Sequence, residues 1–127
     1  MPVTAKELLA AANAEVERID GNKAQELVAG GGLLLDIRDS AELQKTGKAA
    51  GSHHVPRGML EFRADPENPN HDPELRFDRD IVLHCASGGR AALAGKLLKD
   101  MGYTRVYNMG GLSDWENAGG ACEAFQG

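Results

Sequence analysis

One of the two cysteines, Cys85, closes a short apolar run in the stretch IVLHCASGGRAA, and Arg90 follows it after Ala86, Ser87, Gly88 and Gly89. None of the intervening residues is bulky and two lack a Cβ. Such a segment lets successive backbone N–H groups turn inward and form a concave nest for an anion. A helix beginning near Arg90 would point the positive end of its dipole at the same spot. A thiol at the centre of that field is favoured as thiolate. Arg90 either closes the site as a permanent cation or orders the loop by donating to its backbone. A nucleophilic sulfur in an anion cradle serves two reaction classes: sulfur transfer through a persulfide and phosphoryl transfer through a phosphocysteine. The plainer reading is a small buried cysteine beside an ordinary glycine turn. The coincidence of strand end, glycines, arginine and helix start weighs against it.

The loop needs a strand to end it and a helix to begin it, and the flanking patterns supply both. Ile81–His84 reads as a buried strand, Arg90–Met101 as a helix stopped by Gly102, and Arg105–Asn108 as a further strand. Upstream, Leu8, Leu9, Ala12, Val16 and Ile19 recur at helical spacing, and Thr4 with Glu7 forms a capping box. A short strand near Arg18–Asp20 leads into a helix over Ala24–Ala29, which Gly30–Gly32 stops. LLLDIR, Leu33–Arg38, is an apolar run ending in charge, the mark of a strand buried on both faces. DSAELQKTG is a short helix with Asp39 or Ser40 as its cap, and His53–Val55 a short strand closed by Pro56. Asp65–Asp80, rich in Pro, Asp and Asn, reads as an exposed connector. Strands alternating with helices predict an α/β fold: a central, mainly parallel five-stranded sheet with helices on both faces. Ligands of such sheets sit beyond the carboxyl ends of the strands, where Cys85 stands.

Composition narrows the function classes. The chain has 127 residues, 42% hydrophobic and 26% charged, enough for one domain with its own core. Nineteen acidic against fourteen basic residues, a net charge of −5, argue against nucleic acid as a partner. No apolar run approaches the roughly 20 residues of a membrane span. The N-terminus, with Glu7, Glu15 and Glu17, does not read as a signal peptide. Two cysteines are too few for a disulfide framework, so a reducing cytoplasm is the expected location. His53, His54, His71 and His84 lack metal-ligand spacing, and no metal is expected.

Three segments in order resemble the rhodanese-like sulfurtransferases. CASGGRAA resembles that family's active-site loop. LLLDIRDSAEL…GKAAGSHHVPRGMLEF is similar to its upstream signature, an Asp-x-Arg strand end before a Glu-containing helix. NMGGLSDWENAGG is similar to its closing Gly-Gly-x-x-x-Trp element. The resemblance covers most of Ile19–Gly120. It implies a single rhodanese domain over 1–127, with 1–17 as a helical extension and 121–127 as a tail. It also implies thiosulfate sulfurtransferase activity: Cys85 takes a sulfane sulfur from a small donor and passes it to a thiophilic acceptor such as cyanide, a thiol or a protein. The sulfur rides covalently, so no cofactor is implied.

Within this resemblance the loop length discriminates. Cell-cycle dual-specificity phosphatases share the fold but place five residues between Cys and Arg; four suit a single sulfur atom. A phosphatase or arsenate reductase on the same loop is the weaker alternative, and a partner-specific sulfur-relay module is another. Ala86 stands where many thiosulfate-using relatives carry a basic residue, so less positive charge would surround a dianionic donor. By resemblance Asp36 and Arg38 support the loop, and Arg57 is a candidate for the pocket mouth. Trp115, the sole tryptophan, is expected to anchor packing beside the active-site loop. Cys122 lies in the tail, where a resolving role is the lesser reading.

Overall fold

The computed structural model describes residues 2–126, so Met1 and Gly127, the ends of the expected extension and tail, lie outside the described residues. Five strands form one parallel sheet: β1 (Glu17–Arg18), β2 (Leu33–Asp36), β4 (His53–His54), β5 (Ile81–Cys85) and β6 (Val106–Gly111), in the order β1-β6-β5-β2-β4. β3 (Lys48–Ala49) pairs antiparallel with β7 (Cys122–Glu123) in a small separate ribbon. The helices are α1 (Ala5–Glu15), α2 (Gly21–Ala29), α3 (Ser40–Thr46), α4 (Leu60–Ala64), α5 (Gly89–Asp100) and α6 (Leu112–Asn117).

The pleat sorts β2 and β5 between two cores. Leu33, Leu35, Ile81, Leu83 and Cys85 face one side with Ala91, Ala94 and Leu98 of α5 and Leu60 of α4. Leu34 and Val82 face the other with Ala24 of α2 and Leu112 and Trp115 of α6. Every residue of both strands is buried, which explains why each reads as an unbroken apolar run. Because β2 continues outward to β4 and β5 continues to β6 on the other side, the chain reverses direction across the sheet between β2 and β5. The crevice at such a switch point is where α/β sheets bind ligands.

Local signals held at the first helix. Thr4 Oγ1 accepts the Glu7 N–H at 3.1 Å, and Glu7 Oε1 accepts the Thr4 N–H at 3.4 Å. The helical spacing that ran on to Ile19 stops short, because Val16 is already extended and Glu17–Arg18 pairs with Tyr107 and Asn108 of β6. α2 begins at Gly21, ahead of the expected Ala24, since Asp20 Oδ1 caps it by accepting the Lys23 N–H at 2.8 Å.

Two segments differ from the sequence reading more substantially. The connector after α4 is pinned to the body: Leu75 and Asp72 are buried, His53 contacts Asp72, and Phe77 stacks on Tyr103 at 4.3 Å. Tyr103 Oη donates to Ala64 O at 2.6 Å, closing the segment at both ends. The C-terminal segment is likewise tied down, since Cys122 pairs with Ala49 and Trp115 Nε1 donates to Ala121 O at 2.7 Å. Polar composition hides such anchoring, because the partners lie far away in sequence. Among the described residues no helix is long and apolar enough to cross a membrane.

Candidate active site

Cys85 ends the central strand and is 1% exposed. The chain then turns tightly through Ala86 and Ser87 into α5. Gly88 is the N-cap of that helix at φ +106°, a left-handed conformation that glycine adopts without strain. This turn directs the Gly88 N–H onto Cys85 Sγ at 3.0 Å. Neighbouring β6 fixes the turn from behind. Asn108, buried, donates its Nδ2 to Gly88 O at 3.0 Å and accepts the Gly110 N–H on Oδ1 at 2.9 Å.

A shift in the β5–β6 register after Leu83 sets Cys85 beside Gly111. A Cβ on Gly111 would stand 2.1 Å from Ala86 O, while its own φ of −125° is open to any residue. The need for glycine there is purely steric. Gly111→Ala is therefore expected to cost about 1–3 kcal/mol and to displace the loop. Urea denaturation combined with the alkylation rate of Cys85 checks both effects.

Arg90 closes the loop differently from either sequence reading. Its guanidinium reaches across the switch point and grips Glu42 of α3 in two parallel bonds, Nη1–Oε1 at 2.7 Å and Nη2–Oε2 at 2.9 Å. Arg90 holds the Glu42 carboxyl down to about 2, and Glu42 in turn raises the Arg90 guanidinium. Glu42 is also the third residue of α3 and accepts the Asp39 N–H at 3.1 Å. The pairing with Arg90 depends on β2 lying beside β5.

Asp36, beside His84 in the sheet, and Arg38 are both buried and pair with each other: Nη2–Oδ2 at 2.8 Å and Nε–Oδ1 at 3.0 Å. Arg38 also donates to Thr46 Oγ1 at 2.9 Å and Gly47 O at 3.0 Å, tying the end of α3 to β2. Burial pushes the Asp36 carboxyl up, but the Arg38 bonds and the nearby His84 outweigh it and hold it below the usual range. His84, the residue before Cys85, is fully buried with Nε2 3.5 Å from Asp36 Oδ2 and without a hydrogen bond. Burial pushes its imidazole down against the pull of Asp36.

A base whose folded value is lowered binds its proton more readily unfolded, so its contribution to stability falls as pH drops below the ordinary value near 6.5. His84→Gln is expected to flatten the stability loss between about pH 6.5 and 5, read as urea midpoints across that range. The steeper loss that the depressed carboxyls of Asp36 and Glu42 cause at lower pH should persist.

Arg57, Trp115 and Cys122 are the other residues that the sequence marked. Arg57 donates to Glu61 Oε1 at 3.0 Å and lines a shallow depression with Leu8, Leu93 and Leu97, to which no residue of 85–90 contributes. Trp115 packs in the core on the opposite face of the sheet from Cys85 and holds the C-terminal segment. Cys122 is an exposed free thiol whose ionisation burial and Glu116 push up. Among the described residues no cluster of three or more His, Cys, Asp or Glu is arranged to hold a metal ion. Arg18, Glu42 and Asn108 were not singled out by the sequence and stand around the loop here.

Residues 16–118, which contain all of this machinery, match the model of the rhodanese-like domain. The chain belongs to the rhodanese-like family. A sulfurtransferase of Allochromatium vinosum is 34% identical over 88 residues, covering 68% of this chain and 74% of that one. The thiosulfate sulfurtransferase GlpE of Ectopseudomonas mendocina is 30% identical over 104 residues, covering 80% and 85%. Among solved structures, a protein from Rhodopseudomonas palustris described as a possible tyrosine phosphatase superposes with a TM-score of 0.85. It is 39% identical, covering 97% of this chain and 99% of its own. The five-stranded rhodanese-like α/β fold expected from the sequence is the fold of this chain.

Proposed function

We propose that this rhodanese-like protein moves a sulfane sulfur from a donor such as thiosulfate to a thiophilic acceptor through a persulfide on Cys85. The observation that carries the reading is the short loop that turns the Gly88 N–H onto Cys85 Sγ. In the first step the Cys85 thiolate attacks the outer sulfur of thiosulfate. The Cys–S bond forms, the S–S bond of thiosulfate breaks, and sulfite leaves with the electron pair. The negative charge moves to the terminal persulfide sulfur, which the N–H groups of Ala86–Arg90 stabilise. In the second step cyanide attacks that sulfur, thiocyanate departs, and the thiolate is restored. No external oxidant or reductant enters, and no cofactor takes part. A thiol or a protein cysteine in place of cyanide gives the relay form of the same chemistry. Free thiols at both cysteines suit a reducing cytoplasm as its setting.

The description of the Rhodopseudomonas palustris structure favours a second reading, phosphoryl or arsenate chemistry on the same loop. Two features weigh against it. The loop keeps four residues between Cys85 and Arg90, and the Arg90 guanidinium is spent on Glu42 instead of being free for phosphoryl oxygens. Incubation with thiosulfate followed by intact mass measurement decides between them. One added sulfur atom on Cys85, removed by cyanide with release of thiocyanate, supports sulfur transfer. Turnover of an aryl phosphate or of arsenate without sulfur uptake would establish the second reading.

A further inference from the structure

Arg18 ends β1 at the edge of the sheet, and its guanidinium rests on the backbone of two glycines. Nη1 would stand 3.2 Å from a Cβ at Gly88, and Nη2 would stand 2.2 Å from one at Gly110. Both glycines have positive φ, +106° and +101°. Covalent geometry along Gly88 then puts the guanidinium within about 9 Å of Cys85 Sγ, inside the screening length at moderate salt.

This is an unfavourable place for a cation. Gly88 caps the N-terminus of α5, where the helix dipole already presents positive charge. The ion pair that Arg18 makes, with Asp114 Oδ2 at 3.9 Å, is loose, and its side chains are 56% and 39% exposed. Asp114 Oδ2 also accepts the Gly111 N–H at 2.8 Å, which satisfies part of its charge. Two other arginines are matched much more closely: Arg90 donates two bonds to Glu42, and Arg38 donates three to Asp36. The loop residues Ala86–Gly89 bring no charged side chain.

We propose that Arg18 is an anion-steering residue that sets the preference of Cys85 for negatively charged donors. It supplies from β1 a positive potential that Arg90, neutralised by Glu42, does not. An anion entering the cradle gains attraction from Arg18 and relieves its repulsion with the α5 terminus. This rests on the proposed reaction only in taking the donor to be an anion, and the loop field can be read without sulfur transfer.

Cys85 is alkylated by iodoacetate, an anion, and by iodoacetamide, which is neutral, in a Cys122→Ser background and followed by intact mass. Arg18→Gln is expected to slow iodoacetate about three- to tenfold at low salt and to leave iodoacetamide within about twofold. Arg18→Lys should restore the ratio, and high salt should erase the difference. The same variant should raise the thiosulfate concentration needed for half-maximal persulfide formation by a similar factor, with the rate at saturation unchanged. An unchanged ratio, or an equal fall with both reagents, overturns the proposal. A shifted ratio in a protein that takes no sulfur from thiosulfate would sink the proposed reaction and leave the steering role standing.

Discussion

Cys85→Ser is expected to lower sulfur transfer from thiosulfate to cyanide by more than about a thousandfold while leaving the fold intact. A serine hydroxyl fills nearly the same volume at the end of β5 and accepts the Gly88 N–H that Sγ accepts at 3.0 Å. The loop, held from behind by Asn108 and by the contact of Gly111 with Ala86 O, has no reason to move. What serine lacks is the ability to carry sulfur, since its oxygen is neither ionised near neutrality nor nucleophilic toward sulfane sulfur. Thiocyanate production measures the loss, and unchanged urea midpoints exclude unfolding as its cause. Cys122→Ser is the matched control and should retain activity, because Cys122 is exposed on β7 with its thiol pushed up by burial. Full transfer by the Cys85→Ser protein would rule out the persulfide mechanism.

The second large effect falls on stability. Arg38→Met removes the partner of Asp36, which is fully buried and receives three of its bonds from that guanidinium. An uncompensated carboxylate in this position is expected to cost about 3–5 kcal/mol. The loss of donors to Thr46 Oγ1 and Gly47 O also loosens α3, and with it Glu42 and the grip on Arg90. The pH dependence identifies the cause. With Arg38 present, its bonds hold the Asp36 carboxyl down against burial. Without it burial prevails, the folded value rises above the unfolded one, and the deficit should be greatest at neutral pH and shrink as pH falls. Urea denaturation of wild type and variant at neutral and mildly acidic pH measures the difference. A deficit that does not change with pH would mean that lost packing, and not the buried charge, sets the cost.

Both predictions turn on residues that the sequence marked, though to different depths. LLLD and IVLHC read as buried strands because every residue of a strand covered on both faces must be apolar or paired. The turn after Cys85 was legible because small residues and glycine permit few other conformations between a strand and a helix. Thr4 with Glu7 announced a helix start that the structure contains, since a capping box is complete within four consecutive residues. These are features whose physics is local, and one sequence suffices for them.

The tertiary structure decided everything that depends on which strands are neighbours. Placing β2 next to β5 brought Glu42 to Arg90 and made the arginine one half of a neutralised pair, neither a free cation nor a donor to the loop backbone. Placing β6 on the other side of β5 brought Asn108 and Gly111 behind the loop, and placing β1 beside β6 laid Arg18 across Gly88. It moved Trp115 to the far face of the sheet and fastened segments that composition had left as a loose connector and a tail. The sequence by itself determined that a cysteine sits in a tight loop at a strand end. Coulomb interactions and steric contacts act through space and are indifferent to chain separation, so only the folded chain decided which charges and walls surround that sulfur.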